Sequence, residues 1–476
     1  MAIETWLPAL LGYLIPVGLF VLAWGGMEPQ RARRSVTVGG LALALAVLGY
    51  FVLGFAFHLG GAGLMGDRPG LQGLNHIFAG EGDLDWGLVG TEGFFLALED
   101  GVATPEMLAL FVTYLPMVAT AVLLVVLSVY GRARGWQVVV GGLAVAAVIF
   151  PLAACWTWGG GWLANLGLDS MLERGHGFVD HAGSVVVYWL GGMAALGALM
   201  GLGQRLPPGE PDQPEEMPPA HFPLLANLGA LLFGLGWMGW SLSVPFHANI
   251  EGLSLERIAV NGMLAGAGAV LVSQIYCRFV LGRDDALMSA RGMVAGFVAV
   301  SAGAPFVPPW AALVIGAVAG LLLPMGVYLV DRVLRLPDAT ATVPLGLIGG
   351  LWGGAAVAIF ADGRWGQGWN GVGADVYHTI AGMGVTGLFP AEGFTGDGAG
   401  QLICQLAGIG VVGLLAFLAG WLIFLGLNTP YRPRRERKPK VEEVSESELE
   451  FEPGLEIEAQ EAEDVIEAEV EGEAGE

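Results

Sequence analysis

The stretch WTWGGGWLANLGLDSMLERGHGFVDHAGSVVVYW, Trp156–Trp189, decides how this chain is read. It closes one long apolar run, turns through Gly159, Gly160 and Gly161 between tryptophans, and opens a second apolar run directly behind Asp180 and His181. Tyr188 lies well inside that second run, where a hydroxyl without a partner is costly in hydrocarbon. The segment therefore sets polar groups at the mouth and in the body of an apolar helix.

Outward from this stretch the chain stays apolar: 54% of its 476 residues are hydrophobic and 14% are charged, with a mean hydropathy of +0.63. That balance excludes an ordinary soluble domain and fits an integral membrane protein. The 77 glycines suit membrane helices that approach one another closely. Apolar runs of bilayer length, about 20 residues, recur near 6–25, 37–58, 107–130, 136–156, 182–203, 222–243, 258–281, 287–305, 309–331, 342–361 and 401–427. They predict an all-α membrane protein with eleven transmembrane helices. The eighth run is short and Gly-rich, and it ends at Pro305.

Orientation follows from Lys and Arg in the short flanks. With the N-terminus outside, 17 of the 21 basic residues fall on the inner side, and only Arg68, Arg174, Arg257 and Arg364 lie outside. The chain thus reads as multi-pass in the cell (plasma) membrane, with a cytoplasmic C-terminus. A Pro-rich inner loop at 205–220 separates pseudo-repeats at about 1–204 and 221–361. Five helices per half make the second half run opposite to the first, an inverted-repeat transporter plan with a final span at about 401–427. The long outer loops at about 59–105 and 362–400 are rich in Gly and aromatics and predict a structured outer cap.

Residues 431–440 are a basic juxtamembrane segment suited to anionic lipid. Residues 441–476 carry 16 acidic side chains and no Lys or Arg, so the rest of the chain holds only seven of the 23 net negative charges. That tail reads as cytoplasmic and disordered. Cys155, Cys277 and Cys404 have no metal-like spacing and read as buried thiols. No clustered nucleophile, base or ligand set is readable, so no catalytic residue, metal or cofactor is expected, nor a nucleic-acid partner.

The run PLAACWTWGGGWLANLG followed by DHAGSVVVYW resembles the ammonium transporter (Amt/Rh/Mep) family, as do GWMGWSLS at 236–243 and GLIGGLWGG at 346–354. Order and spacing agree over about residues 1–430. The resemblance implies a homotrimer in lipid, with a narrow pore in each subunit. Ammonium is recruited in an aromatic outer vestibule, and ammonia passes two mid-pore histidines. Trp158 matches the vestibule Trp, either offering its π face to a cation or anchoring the helix end. Trp240 falls at a gate Phe position. Ser243 lies one residue before the recruitment Ser position, which Val244 fills. Asp180 matches the carboxylate that opens the fifth span, a helix cap or a substrate-directed group. Met117 falls at the first gate position or is simply core.

The central chemistry departs from the family pattern. Eight residues after Asp180, Tyr188 stands where the family has its first pore His, and Gly346 stands at the second. Ala341 replaces a second family Asp, and His378 falls in an outer loop. His181 is either a surface His or a pH-sensitive vestibule group. The larger Tyr and the smaller Gly are complementary in volume, which predicts a Tyr188 ring narrowing the mid-pore with its hydroxyl on a backbone carbonyl near Gly346. About ten residues, including Asp169, Glu173, Arg174 and His176, exceed the family spacing between the Gly turn and Asp180. The expected function is an ammonium/ammonia transporter or channel. The alternative is a non-conducting ammonium sensor that signals through its tail. A cytosolic nitrogen-signalling protein is an implied partner.

Overall fold

The computed structural model describes residues 8–65, 68–79, 86–98, 101–168, 175–204, 222–247, 252–336, 338, 340–397 and 399–427. The inner linker 205–220, the segment 431–440 and the acidic tail lie outside the described residues, as do Asp169, Glu173 and Arg174. The chain divides at Pro430 into two units, and the first, Met1–Thr429, holds all of the described residues.

Among the described residues, ten helices are long and apolar enough to cross a membrane. These are α1 (Pro8–Gly26), α2 (Val38–Leu64), α3 (Pro105–Val129), α4 (Gly135–Trp158), α5 (Ser184–Leu202), α6 (Pro223–Val244), α7 (Leu255–Val280), α9 (Pro309–Val333), α10 (Thr342–Phe360) and α11 (Ala399–Gly426). Between α7 and α9 lies the shorter apolar helix α8 (Ala286–Val300), where the eighth of eleven spans was expected. At 1.5 Å per residue it reaches about 22 Å, short of a ~30 Å hydrocarbon core.

The reason α8 stops early is local. Ser184 Oγ donates to the Val298 carbonyl (2.6 Å) and accepts from the Ala302 N–H (2.8 Å). The His181 and Ala182 N–H groups donate to the Ala302 and Ser301 carbonyls at 3.1 and 3.0 Å. Backbone groups that a longer α8 would have used internally are thus satisfied by the segment that opens α5.

Sequence signals set the other helix starts. Thr104 accepts from the Met107 N–H ahead of Pro105, Ser254 from the Arg257 N–H, and Asp285 from the Met288 N–H. α1 packs on α6, α5 on α10 and α11, and α7 on α8 and α9. At these crossings glycine lets backbones meet: a Cβ on Gly236 would come within 2.5 Å of the Ile15 backbone nitrogen, and one on Gly25 within 2.6 Å of that of Ala226. The three cysteines are buried and form no disulfide among the described residues.

Described residues of the loops after α2 and α10 form two short hairpins. An antiparallel hairpin, β1 (Ile77–Ala79) with β2 (Gly87–Gly90), is tied to α4 by Trp156 Nε1 donating to the Leu88 carbonyl at 2.8 Å. A smaller hairpin, β3 (Val376–Tyr377) with β4 (Ile380–Ala381), follows α10. Arg257 and Asp362 form a mostly buried ion pair at 2.6 Å that holds the start of the second loop to α7. Gln401 and Gln405 near the start of α11 bond the backbone of 176–179.

Candidate functional site

The segment 180–184 is where the elements converge. Asp180 is fully buried; its Oδ1 accepts from the Gly183 N–H (3.1 Å) and its Oδ2 from Val185 (2.9 Å) and Val186 (2.8 Å). Gly183, at φ +92°, supplies the left-handed turn that lets the chain fold back over this carboxylate. Burial pushes the Asp180 pKa up to about 6, against the lowering effect of those N–H groups. Its oxygens accept from the helix start, so Asp180 caps α5.

Two tryptophans are anchored on the same segment. Trp158 Nε1 donates to the Asp180 carbonyl at 2.7 Å, and Trp240 Nε1 to the Ala182 carbonyl at 3.1 Å. With their polar edges tied down, both rings line a cavity of about 420 Å³. Tyr114 of α3 joins them, its ring centroid 5.9 Å from Trp158 and 5.6 Å from Trp240, while the two indoles lie 6.4 Å apart. Buried His58 lies behind this triad, 4.7 Å from the Tyr114 ring, with Nδ1 bonded to Tyr50 Oη at 2.9 Å. Trp369 and Asn370 of the loop after α10 and Met65 and Arg68 of the loop after α2 complete the walls.

The cavity corrects several expectations. Ser243 is buried and its hydroxyl donates to the Trp240 carbonyl at 2.7 Å, within its own helix; Val244 lines the cavity instead. Met117 is fully buried and does not line the cavity, whereas Tyr114, about one turn earlier on α3, does. His181 is 1% exposed, so it is not a surface His; it lies in the cavity wall, and burial pushes its pKa down to about 4. His378 sits in the outer loop, bonded to Asp397 at 3.0 Å. His176, from the extra residues, is buried with its ring 4.5 Å from Tyr377. Among the described residues no group of three His, Cys, Asp or Glu is placed to hold a metal.

Tyr188 is fully buried in a π-helical turn, Ser184–Trp189, that opens α5, with its ring 5.9 Å from Phe233. The expected bond to a carbonyl near Gly346 does not form: Tyr188 Oη has no partner among the described residues. What faces Gly346 is backbone. A Cβ there would meet the Tyr188 carbonyl at 2.5 Å and Gly192 Cα at 2.8 Å, so α5 and α10 touch chain to chain. Asp338, not singled out from the sequence, accepts from the Val343 N–H at 2.8 Å and from Thr340 Oγ1 at 2.8 Å. It opens α10 as Asp180 opens α5. The signal was available, since Asp338 precedes Gly346 by the same eight residues that separate Asp180 from Tyr188.

An all-α polytopic membrane protein with an aromatic cavity at the start of its fifth long helix is the class that fold and site define. The Ammonium Transporter Family model matches residues 6–437. The ammonium transporter Amt2 of Archaeoglobus fulgidus is 34% identical over 360 residues, 75% of this chain and 71% of that one. Amt1 of Methanocaldococcus jannaschii is 25% identical over 428 residues, 89% of this chain and 88% of that one. In fold, the chain is similar to a sensor Amt protein (TM-score 0.68, 23% identity, 89% of this chain and 91% of that one) and to Candida albicans Mep2 (TM-score 0.67, 20% identity, 88% and 82%). The chain belongs to the ammonium transporter family.

Proposed function

We propose that this protein takes up ammonium at its outer face and passes ammonia across the cell membrane through each subunit. The observation that carries this is the triad of Tyr114, Trp158 and Trp240 on one cavity. Such faces attract a small ammonium ion, while an apolar path below opposes a bare cation. Relatives named ammonium transporters support the substrate class.

Below the cavity, Tyr188 and Gly346 occupy the mid-pore in this reading. A phenol, with an ordinary pKa of about 10, does not take up a proton at neutral pH as imidazole does. The species that moves inward is therefore neutral ammonia, its proton left outside, and no current accompanies it. The working assembly is a homotrimer with N-termini outside and C-termini cytoplasmic, a reading supported by the basic-residue asymmetry and by the family. A cytosolic nitrogen-signalling protein is a partner for the inner face.

A second reading is a non-conducting sensor that signals through residues 441–476. The chain-to-chain contact at Gly346 favours it, because no side-chain-sized space separates α5 from α10 there. Internal alkalinisation of proteoliposomes after an ammonium pulse tests both. Conduction gives a wild-type rate above protein-free vesicles. A wild-type rate equal to empty vesicles, with excess flux only in Tyr188→Ala, gives the sensor reading; no excess in either removes conduction.

A further inference from the structure

Two glutamines, Gln401 and Gln405, stand one turn apart on the apolar helix α11, and both are fully buried. An amide in a membrane span is costly unless its polar atoms are met. Gln401 Oε1 accepts from the His176 N–H at 2.9 Å, and its Nε2 donates to the Gly177 carbonyl (3.0 Å) and to Gln405 Oε1 (3.2 Å). Gln405 Oε1 also accepts from the Val179 N–H (2.8 Å), while its Nε2 donates to the carbonyls of Val179 (2.9 Å) and Gly354 (2.8 Å). Each amide has two N–H donors and both are used, so neither has a donor left for a ligand. From the α10–α11 loop, Asn370 Nδ2 donates to the His176 and Phe178 carbonyls at 2.8 and 3.1 Å. The backbone of 176–179 is therefore held largely by side-chain amides in place of a regular element. Gln405 meets both the N–H and the C=O of one residue, Val179, as a neighbouring strand would, which fixes that residue in place and in rotation. Val179 leads directly into Asp180, whose carbonyl takes the Trp158 indole N–H, and Ala182 takes that of Trp240. A line of bonds thus runs from α11 to both rings, although neither glutamine lines the cavity.

We propose that Gln405, braced by Gln401, is a positioning residue of the transport path: through Val179 it sets where the 180–182 carbonyls stand, and so where the rings of Trp158 and Trp240 stand. This assignment rests on the transport reading and adds a helix, α11, that acts on the cavity without touching it. Its effect falls on entry to the path and not on passage, so it is read in the half-saturating concentration and not in the maximal rate. The geometry also ranks the two amides. Gln405 holds the residue next to Asp180, whereas Gln401 holds residues three and four positions before it.

The experiment pairs ammonium-pulse flux in proteoliposomes with fluorine NMR of the full-length protein carrying fluorotryptophan, the Trp158 resonance being assigned by its loss in Trp158→Phe. Gln405→Met keeps the volume and removes the bonds. It is expected to raise the half-saturating ammonium concentration about tenfold, the scale of a small misplacement at a binding group, with the maximal rate within about twofold. It is also expected to move the Trp158 resonance and leave that of Trp136, at the far end of α4, in place. Gln401→Met is expected to raise half-saturation by about threefold at most. Gln405→Glu, which keeps an acceptor for the Val179 N–H but not both donors, is expected to move the same resonance and serves if Gln405→Met does not fold. Mere loss of stability lowers the amount of folded protein and leaves half-saturation where it was. An unmoved Trp158 resonance in the Gln405 variant that folds, or a lowered maximal rate at unchanged half-saturation, overturns the assignment while leaving the transport reading intact. Wild-type flux no greater than that of empty vesicles removes the transport reading, and the assignment falls with it whatever the resonances do.

Discussion

Trp158 and Trp240 each donate an indole N–H into the 180–182 backbone, so the ring faces that meet the cavity are fixed by the segment that opens α5. Their neighbour His181, with its pKa lowered to about 4, stays neutral through the physiological range. The imidazole is uncharged above about pH 4 and places a positive charge in the cavity wall as pH falls through that value. Methylammonium binding is expected to show an acid limb near pH 4 that is absent in His181→Phe, read by titration from pH 8 downward. The charged groups around this imidazole are Arg68 in the cavity wall, Asp180 beside it in the chain with its oxygens turned to α5, and the Arg257–Asp362 pair behind Phe306. Arg68→Gln is expected to raise methylammonium affinity about twofold to fivefold, the range of a screened charge interaction. Two residues tied to a landmark were legible in the sequence: Trp158 by its glycine turn and Asp180 by its place just ahead of the fifth apolar run. Tyr114 was not singled out, because a continuous apolar helix carries no internal mark of which face meets the cavity. A shift of one residue turns a helical side chain by about 100°.

At the scale of elements, α5 and α10 are defined by what they lack at their crossing. Gly346 and Gly192 allow the two backbones to touch, and the Tyr188 carbonyl occupies the position a Cβ at Gly346 would need. Gly346→Ala is therefore expected to destabilise the fold by about 1–3 kcal/mol through overpacking, measured as a lowered thermal midpoint in detergent. Gly410→Ala, with open space around that position of α11, is expected to leave that midpoint unmoved. Long helices were legible from apolar run length alone, and their ends fell within a few residues of the caps. The shortness of α8 was legible as a short, Gly-rich run, but its cause was not, because that depends on Ser184 and His181, more than 110 positions away in sequence, satisfying the backbone where the helix stops. Within the run 287–305, only the closing Pro305 hints at that arrangement.

For the whole molecule, the family model and the fold place the chain among ammonium transporters, and the proposed function turns on passage of the nitrogen. The acidic tail bears on the sensor reading. Pull-down from cytosol with the full chain and with residues 441–476 removed is expected to recover the same inner-face partner if the tail is only a solvated extension; loss of the partner on truncation assigns docking to the tail. The central claim is electroneutral passage of ammonia past Tyr188. Its most direct test is the rate of internal alkalinisation of proteoliposomes after an ammonium pulse, with and without an imposed inside-negative voltage. The expected result is a rate above protein-free vesicles that is the same at both voltages. A rate no greater than that of empty vesicles, or one that rises with voltage, contradicts it.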